Sequence, residues 1–489
     1  MVSTVKENNV AFGNQEPDGL VKKVSLVLIA LAAAIFLIGL FDLSLMATAI
    51  LLGSIVLLTF SLSGYRAWLI LLITSTMSGF MYVFAGRHIR PDQITLVFML
   101  ASWLLAFATG KVRWNRVPLL LPIVLLVADN FLTTLFAGKG SLQDSLLLSV
   151  YVAMFIMTVA VFHDRPDKLK TAVKALLVLG IAQSFYALAA FAGDYAGVNI
   201  GGVGHLQIHG LASLKGGFQE PNYLGAFEAV IALMFLSFLT SRKKVVSNVL
   251  LTICLIPVLL VLIMTFTRAA WVGFAAGFLL LIFLQKPVRN VFNSKAMFAA
   301  LVLVAIILVI GLPFADKLTS GQVSARVNEG LSYSSGSGLT RSIAQQLAIA
   351  EWRNTELVGS GTMSLNTMAI NNGASTIEKM QAKGWVYSSV IQALHDTGII
   401  GLLLLLWIEA GILGMIARGY RLANNSFYRS SLAGFAVGSI ALFIASQASS
   451  FLWLGFFWVY SGLAVAVAMA AARTSDNDAR GTVLPISSS

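Results

Sequence analysis

Four short segments in the C-terminal half carry residues whose types and spacing could do chemistry. Arg268 lies in Thr265-Phe266-Thr267-Arg268-Ala269-Ala270-Trp271-Val272-Gly273, between two apolar runs that almost touch. A guanidinium at that depth is costly unless paired or wet, so it marks a functional position by default. The alternative is an interfacial anchor snorkelling beside Trp271. Lys215 stands in Leu214-Lys215-Gly216-Gly217-Phe218-Gln219-Glu220-Pro221-Asn222-Tyr223-Leu224-Gly225. Pro221 suits the first turn of a helix, so this segment delivers a cation and free backbone N–H groups to a helix N-terminus, where anions are favoured. A flexible loop capped by proline is the plainer reading. His395 and Asp396 come directly before a long apolar run. A histidine at such an edge exchanges protons with water near neutral pH, as a general base must, and can equally be a capping or interfacial residue. Arg341 opens a helix-like run from about Thr340 to Trp352, followed by Gly359-Ser360-Gly361. Helix dipoles prefer acids at their start, so an arginine there needs an anionic ligand or simple solvation to explain it.

Three acids, Asp129, Glu228 and Glu409, fall inside apolar runs. Such acids mark ion pathways or paired structural groups. His205 and His209 are four apart, which would share a helix face, but the surrounding glycines argue against a helix. No glutamate accompanies them in the zinc-protease arrangement, and no metal site is expected. The lone Cys254 excludes a disulfide framework.

The elements that must position these residues are membrane helices. Of 489 residues 58% are hydrophobic and 11% charged, with a mean hydropathy of +0.85, where soluble proteins carry about 25% charged residues. The expected fold is all-α, a polytopic integral membrane bundle of about fourteen spans (twelve to fourteen): 24–41, 43–62, 67–84, 93–109, 118–137, 145–162, 171–192, 222–240, 247–266, 269–284, 297–315, 398–417, 431–448 and 452–472. The runs are continuous rather than alternating, which excludes a β-barrel. With both termini inside, 22 of the 33 basic residues fall on the cytoplasmic side. The short outer connections hold only Arg87, Arg90, Lys139, Lys215 and Arg268, the asymmetry that sets orientation. The net charge of +12 is therefore an orientation signal and implies no nucleic acid partner. The organisation expected is a cytoplasmic tail 1–23, N-terminal membrane helices 24–192, and membrane helices 193–315 with a Gly-rich outer loop 193–221. A large outer loop 316–397, C-terminal membrane helices 398–472 and a cytoplasmic tail 473–489 complete it. The first apolar run follows Lys22-Lys23 without a cleavage pattern and reads as a retained anchor.

Taken in order, the four segments resemble the O-antigen ligase and polymerase superfamily, bacterial membrane glycosyltransferases that use undecaprenyl-diphosphate-linked sugars. Lys215 to Gly225 is similar to the family's Arg-x-x-G-x-F-x-x-P-N-x-L-A segment, and Thr265 to Gly273 to its S/T-R-x-A-W-x-G segment. Arg341 through Trp352 to Gly361 resembles the R…W…G-x-G stretch of the large periplasmic loop. Leu394-His395-Asp396 falls where the family has a His followed by Asn, Ser or Asp before the next span. The resemblance covers about 205–415. Lys215 replaces an expected Arg, which keeps the charge but gives up bidentate phosphate recognition, and Tyr223 and Gly225 also depart from the pattern.

The resemblance implies an inverting, metal-independent transfer, without cofactor, at the periplasmic face of the bacterial inner membrane. Arg268, Lys215 and Arg341 would clamp the donor diphosphate, and His395 would take the acceptor proton, with Asp396 or Glu220 assisting. The partners implied are the lipid-linked glycan donor, an acceptor glycan (a lipid-linked repeat unit or lipid A-core), membrane lipids and a chain-length regulator. A polymerase of O-antigen or exopolysaccharide is favoured over a ligase. A transporter or flippase using Asp129, Glu228 and Glu409 is the reading from another class, although no half-to-half repeat accompanies it.

Overall fold

Where water is scarce, a chain must satisfy its own backbone, and long Leu/Ala/Val-rich runs do so as helices. The computed structural model describes residues 64–80, 82–84, 87–108, 117–198, 200, 201, 203–208, 211–241, 247–285, 336–355, 358–365 and 384–481. The expected spans 24–41, 43–62 and 297–315 lie outside them. Twelve α-helices are described: α1 Tyr65–Ser75, α2 Pro91–Ala108, α3 Leu120–Ala137, α4 Leu142–Asp164, α5 Leu169–Tyr195, α6 Pro221–Leu239, α7 Asn248–Met264, α8 Arg268–Leu284, α9 Gly336–Arg353, α10 Ser389–Leu422, α11 Ser426–Ala445 and α12 Gly455–Gly481. Two antiparallel ribbons accompany them, β1 Tyr82–Phe84 with β2 Arg87–Ile89, and β3 Val203–Ile208 with β4 Leu211–Leu214.

Seven helices, α3, α4, α5, α6, α10, α11 and α12, have the length and apolar character to cross a membrane. The chain is an all-α, membrane-type bundle. Its burial pattern agrees: every residue of α6 from Tyr223 to Leu239 is buried, as is most of α12. Large apolar side chains point outward on the peripheral helices, among them Leu121 and Phe136 on α3, Val178 on α5, Phe283 on α8 and Leu403 and Trp407 on α10. Central α6 packs against α7, α8 and α11, while α12 packs against α4 and α10.

Most helix limits fall within a few residues of those read from hydropathy. The segment 67–84 differs. Its helix, α1, stops at Ser75, where the Thr74, Ser75 and Thr76 hydroxyls donate back to the carbonyls of Ile70, Leu72 and Ile73 at 2.7–2.9 Å. Such local bonds compete with helix continuation. The chain then turns, Gly79 N–H donates to Gly217 O at 2.9 Å, and the β1–β2 ribbon follows. Within 193–221, His205 lies on β3, so it shares no helix face with His209, which lies outside the described residues.

Candidate functional site

The N-terminal arm of α10 organises the site. Ser388 caps it, its hydroxyl accepting from Ile391 N–H, and the α11–α12 loop braces it. Ser389 N–H donates to Ser446 O at 2.9 Å, and the Ser389 hydroxyl accepts from Phe451 N–H at 2.9 Å. The arm ends at Gly398, whose φ of 69° and ψ of −162° are non-helical. This interrupts the hydrogen-bond ladder, and the carbonyls of His395 and Asp396 accept instead from Ser360 N–H at 2.7 Å and Gly361 N–H at 3.0 Å. The loop can approach because Gly359 has φ +100° and no side chain. A Cβ there would lie 2.5 Å from Gly398 N and 2.9 Å from Asp396 O. Thr362 anchors the loop's far side. Its N–H donates to Thr134 Oγ1 at 3.0 Å, its hydroxyl donates to Asn130 Oδ1 at 2.9 Å, and its carbonyl accepts from Ser141 N–H at 2.9 Å.

On this arm His395 is completely buried, at 0% exposure, between two carboxylates. Nδ1 lies 2.7 Å from Asp396 Oδ1, and Nε2 lies 3.1 Å from Glu351 Oε2. Asp396 Oδ2 accepts from Met363 N–H at 3.1 Å and from Gln392 Nε2 at 2.9 Å. A neutral imidazole has one N–H, so two ionised carboxylates on its two nitrogens are both satisfied only if a further proton is shared across the array. Glu351 reaches the ring from α9. Arg341, Ala344, Ala348 and Glu351 recur at spacings of three and four, one helix face, and Ala344 and Ala348 pack with Ile391, Tyr387, Val386 and Leu365. Met363 and Tyr387, either side of the arm, have φ of 53° and 59°. Strain of this kind concentrates at functional sites.

A second group of charges lies at the start of α6. Glu220 occupies the N-cap position with extended backbone. Burial pushes its carboxyl above the ordinary carboxylate range, opposed by the Arg341 guanidinium and a hydrogen bond with Asn222. Arg341 stands over the Tyr387 ring at 5.8 Å. Glu220, Arg90, Tyr387 and Arg341 all lie close enough to Tyr223 to interact with it electrostatically. Arg90 is buried, donates to Trp453 O at 2.8 Å, sits 3.7 Å from Asp92 and stacks 4.8 Å from the Tyr151 ring. Among the described residues, the buried polar atoms Asp92 Oδ2, Ser449 Oγ, Ser450 Oγ and Trp453 Nε1 have no hydrogen-bond partner. Ser449, Ser450 and Trp453 stand on the α11–α12 loop, Asp92 lies against its end at Gly455, and Tyr223 donates to Ser450 O at 3.3 Å. Buried polar groups are rarely left so.

Arg268 joins this end of the bundle through α6. Thr267 precedes it at the N-cap of α8, and the turn is held by the Thr265 hydroxyl and Trp271 Nε1, both donating to Leu262 O at 2.8 and 2.9 Å. Gly225 lets that turn close on α6: a Cβ there would meet Thr265 Oγ1 at 2.8 Å, Thr267 Cβ at 3.0 Å and Ala270 Cβ at 3.2 Å. Gly225 is five residues, about 7.5 Å of helix, beyond Glu220. Lys215 is half-buried in the turn before α6, and burial pushes its amine down. The turn is fixed by Gly217 N–H donating to Gln183 Oε1 at 3.0 Å.

The fold thus brings Arg341 to Glu220 and sets His395 and Asp396 on the helix that α9 packs against, with Arg268 and Lys215 attached through α6. Type and spacing assign no site role to Glu351, Gln392 or Thr362, and mark Arg90 only as one of the basic residues expected outside. Only Arg90 carries a usable signal, an Arg-x-Asp directly at the start of an apolar run. No family model matches the chain, and no curated protein matches it significantly. Fold and site define a class: a membrane-type helical bundle with a buried imidazole held between two carboxylates, beside a cluster of cations.

Proposed function

We propose that this chain is an inverting, metal-independent glycosyltransferase that takes a glycan from an undecaprenyl-diphosphate-linked donor at the periplasmic face of a bacterial inner membrane. It is read as a polymerase of O-antigen or exopolysaccharide, with ligation to lipid A-core as the alternative acceptor choice. The observation that carries the reading is the meeting of four segments, distant in sequence, that each resemble a motif of that superfamily: the starts of α6 and α8, the α9 face and the arm of α10. In this reading Arg268, Arg341 and Lys215 face the diphosphate, where negative charge grows in the transition state, and preplaced cations are most effective there. The array at His395 and Asp396 holds the acceptor proton, and Glu220 keeps Arg341 in place.

The topology proposed with it has twelve to fourteen crossings, both termini cytoplasmic, and 193–221 and 316–397 periplasmic. A transporter using Asp129, Glu228 and Glu409 is the second-class reading; those acids sit on three separate helices, α3, α6 and α10, and Asp129 lies against Thr397 and Gly401 at the end of the α10 arm. The test uses membranes carrying His395→Ala or Arg268→Ala. Both should accumulate lipid-linked substrate and lose product at normal protein levels, whereas full activity in both refutes the site. Proton-dependent uptake in proteoliposomes, abolished by Glu228→Gln, would favour transport instead.

A further inference from the structure

His395 cannot itself meet an acceptor in this arrangement. Its ring is at 0% exposure and both nitrogens are taken, Nδ1 by Asp396 and Nε2 by Glu351. Asp396 is equally enclosed, with both oxygens occupied by His395, Gln392 and Met363 N–H. Only Glu351 opens outward: its side chain is 33% exposed while Oε2 contacts the imidazole. It is also the member of the array nearest Arg341 along one helix, on the same face.

The geometry points to Glu351 as the general base that touches the acceptor hydroxyl, with His395 and Asp396 as positioning residues behind it. This assignment rests on the glycosyl-transfer reading. In the step, a lone pair of the acceptor oxygen forms the new bond to the anomeric carbon as the bond from that carbon to the diphosphate oxygen breaks. The electron pair leaves with undecaprenyl diphosphate, and the hydroxyl proton passes to the Glu351 carboxylate. The ring proton on Nε2 holds Oε2, so the carboxylate has its other oxygen for the acceptor.

The experiment uses full-length protein in detergent with undecaprenyl-diphosphate-linked glycan extracted from cells lacking it, and measures undecaprenyl diphosphate release. Glu351→Gln keeps an oxygen to accept from Nε2–H but cannot take a proton. It should lose a factor of roughly 100 or more in kcat, the scale of a lost general base, with KM within about threefold and an unchanged thermal midpoint. Glu351→Ala should be equally slow and recover at least about tenfold with added formate, which should do nothing for His395→Ala; Glu351→Asp should exceed Glu351→Gln. A Glu351→Gln variant retaining a third or more of wild-type kcat, or a Glu351→Asp variant slower than Glu351→Gln, overturns the role of Glu351 and leaves glycosyl transfer standing. If the wild type releases no undecaprenyl diphosphate, the transfer reading itself fails and this assignment with it.

Discussion

Replacing Gly359 by alanine should lift the 359–363 loop from the α10 arm. The new Cβ would stand 2.5 Å from Gly398 N, 2.8 Å from Thr397 C and 2.9 Å from Asp396 O, all backbone atoms that no rotamer change can move. A side chain at positive φ costs about 1 kcal/mol. Even while seated, the loop displaced by the methyl loses the bonds from Ser360 N–H and Gly361 N–H to the carbonyls of His395 and Asp396, each worth roughly 1 kcal/mol net. The sum, about 3 kcal/mol, multiplies the lifted population roughly 100-fold. Ser360 is buried and Cys254 is the chain's lone cysteine, so Ser360→Cys in a Cys254→Ser background reports lifting through its rate of thiol labelling. That rate should rise about 100-fold with Gly359→Ala. Gly414→Ala, where a Cβ meets nothing within 4 Å, should leave it unchanged. Labelling within about threefold of the parent refutes both the seating of the loop and its energetic estimate.

Three further outcomes are expected. Gln392→Leu removes the donor to Asp396 and Gly384 O and the acceptor for Val386 N–H, leaving buried groups unpaired. It should cost about 2–4 kcal/mol, seen as a lower thermal midpoint in detergent. Gly225→Val must push apart α6 and the Arg268 turn, destabilising by about 1–3 kcal/mol and slowing donor turnover more than Gly225→Ala does. Burial raises the Glu220 carboxyl above its ordinary value of 4.5, so just above that pH the unfolded chain has released a proton that the folded chain keeps. Stability conferred by this group therefore falls as pH rises from 4.5 through the folded value. Glu220→Gln should flatten that part of the thermal midpoint against pH curve, and an identical slope in both proteins would remove Glu220 as its source.

Hydropathy located most helices because apolar runs of the right length leave few alternatives in a membrane-type bundle. It failed where polar side chains decide. The end of α1 is set by three successive hydroxyl residues, Thr74 to Thr76, bonding back onto their own helix, which averaging over apolar neighbours cannot register. Hydropathy starts α10 at Gly398, where the apolar run begins, yet the helix starts at Ser389. The intervening arm, with Gln392, His395 and Asp396, is polar in sequence and buried in the fold. Sequence pattern alone therefore puts His395 at a wet edge, whereas the fold buries it. Glu351 does not stand out in the sequence because a carboxylate near the end of a polar helix has the pattern of a solvated group. Its significance depends on which face of α9 meets α10, and Arg341, Ala344, Ala348 and Glu351 show that face only once the partner helix is known.

Burying the array also explains why so much of its surroundings is backbone. The break at Gly398 frees carbonyls where water is scarce, and each must find a donor. The donors come from a loop that is itself tied to the α3–α4 hairpin through Thr362, Asn130, Thr134 and Ser141. The positions of His395 and Asp396 therefore depend on residues more than 200 positions earlier in the chain. Substitutions at Thr134 or Asn130 should disturb the imidazole's two hydrogen bonds as surely as substitutions beside it. A motif such as Gly359-Ser360-Gly361 is then part of the site without offering it a single functional side chain.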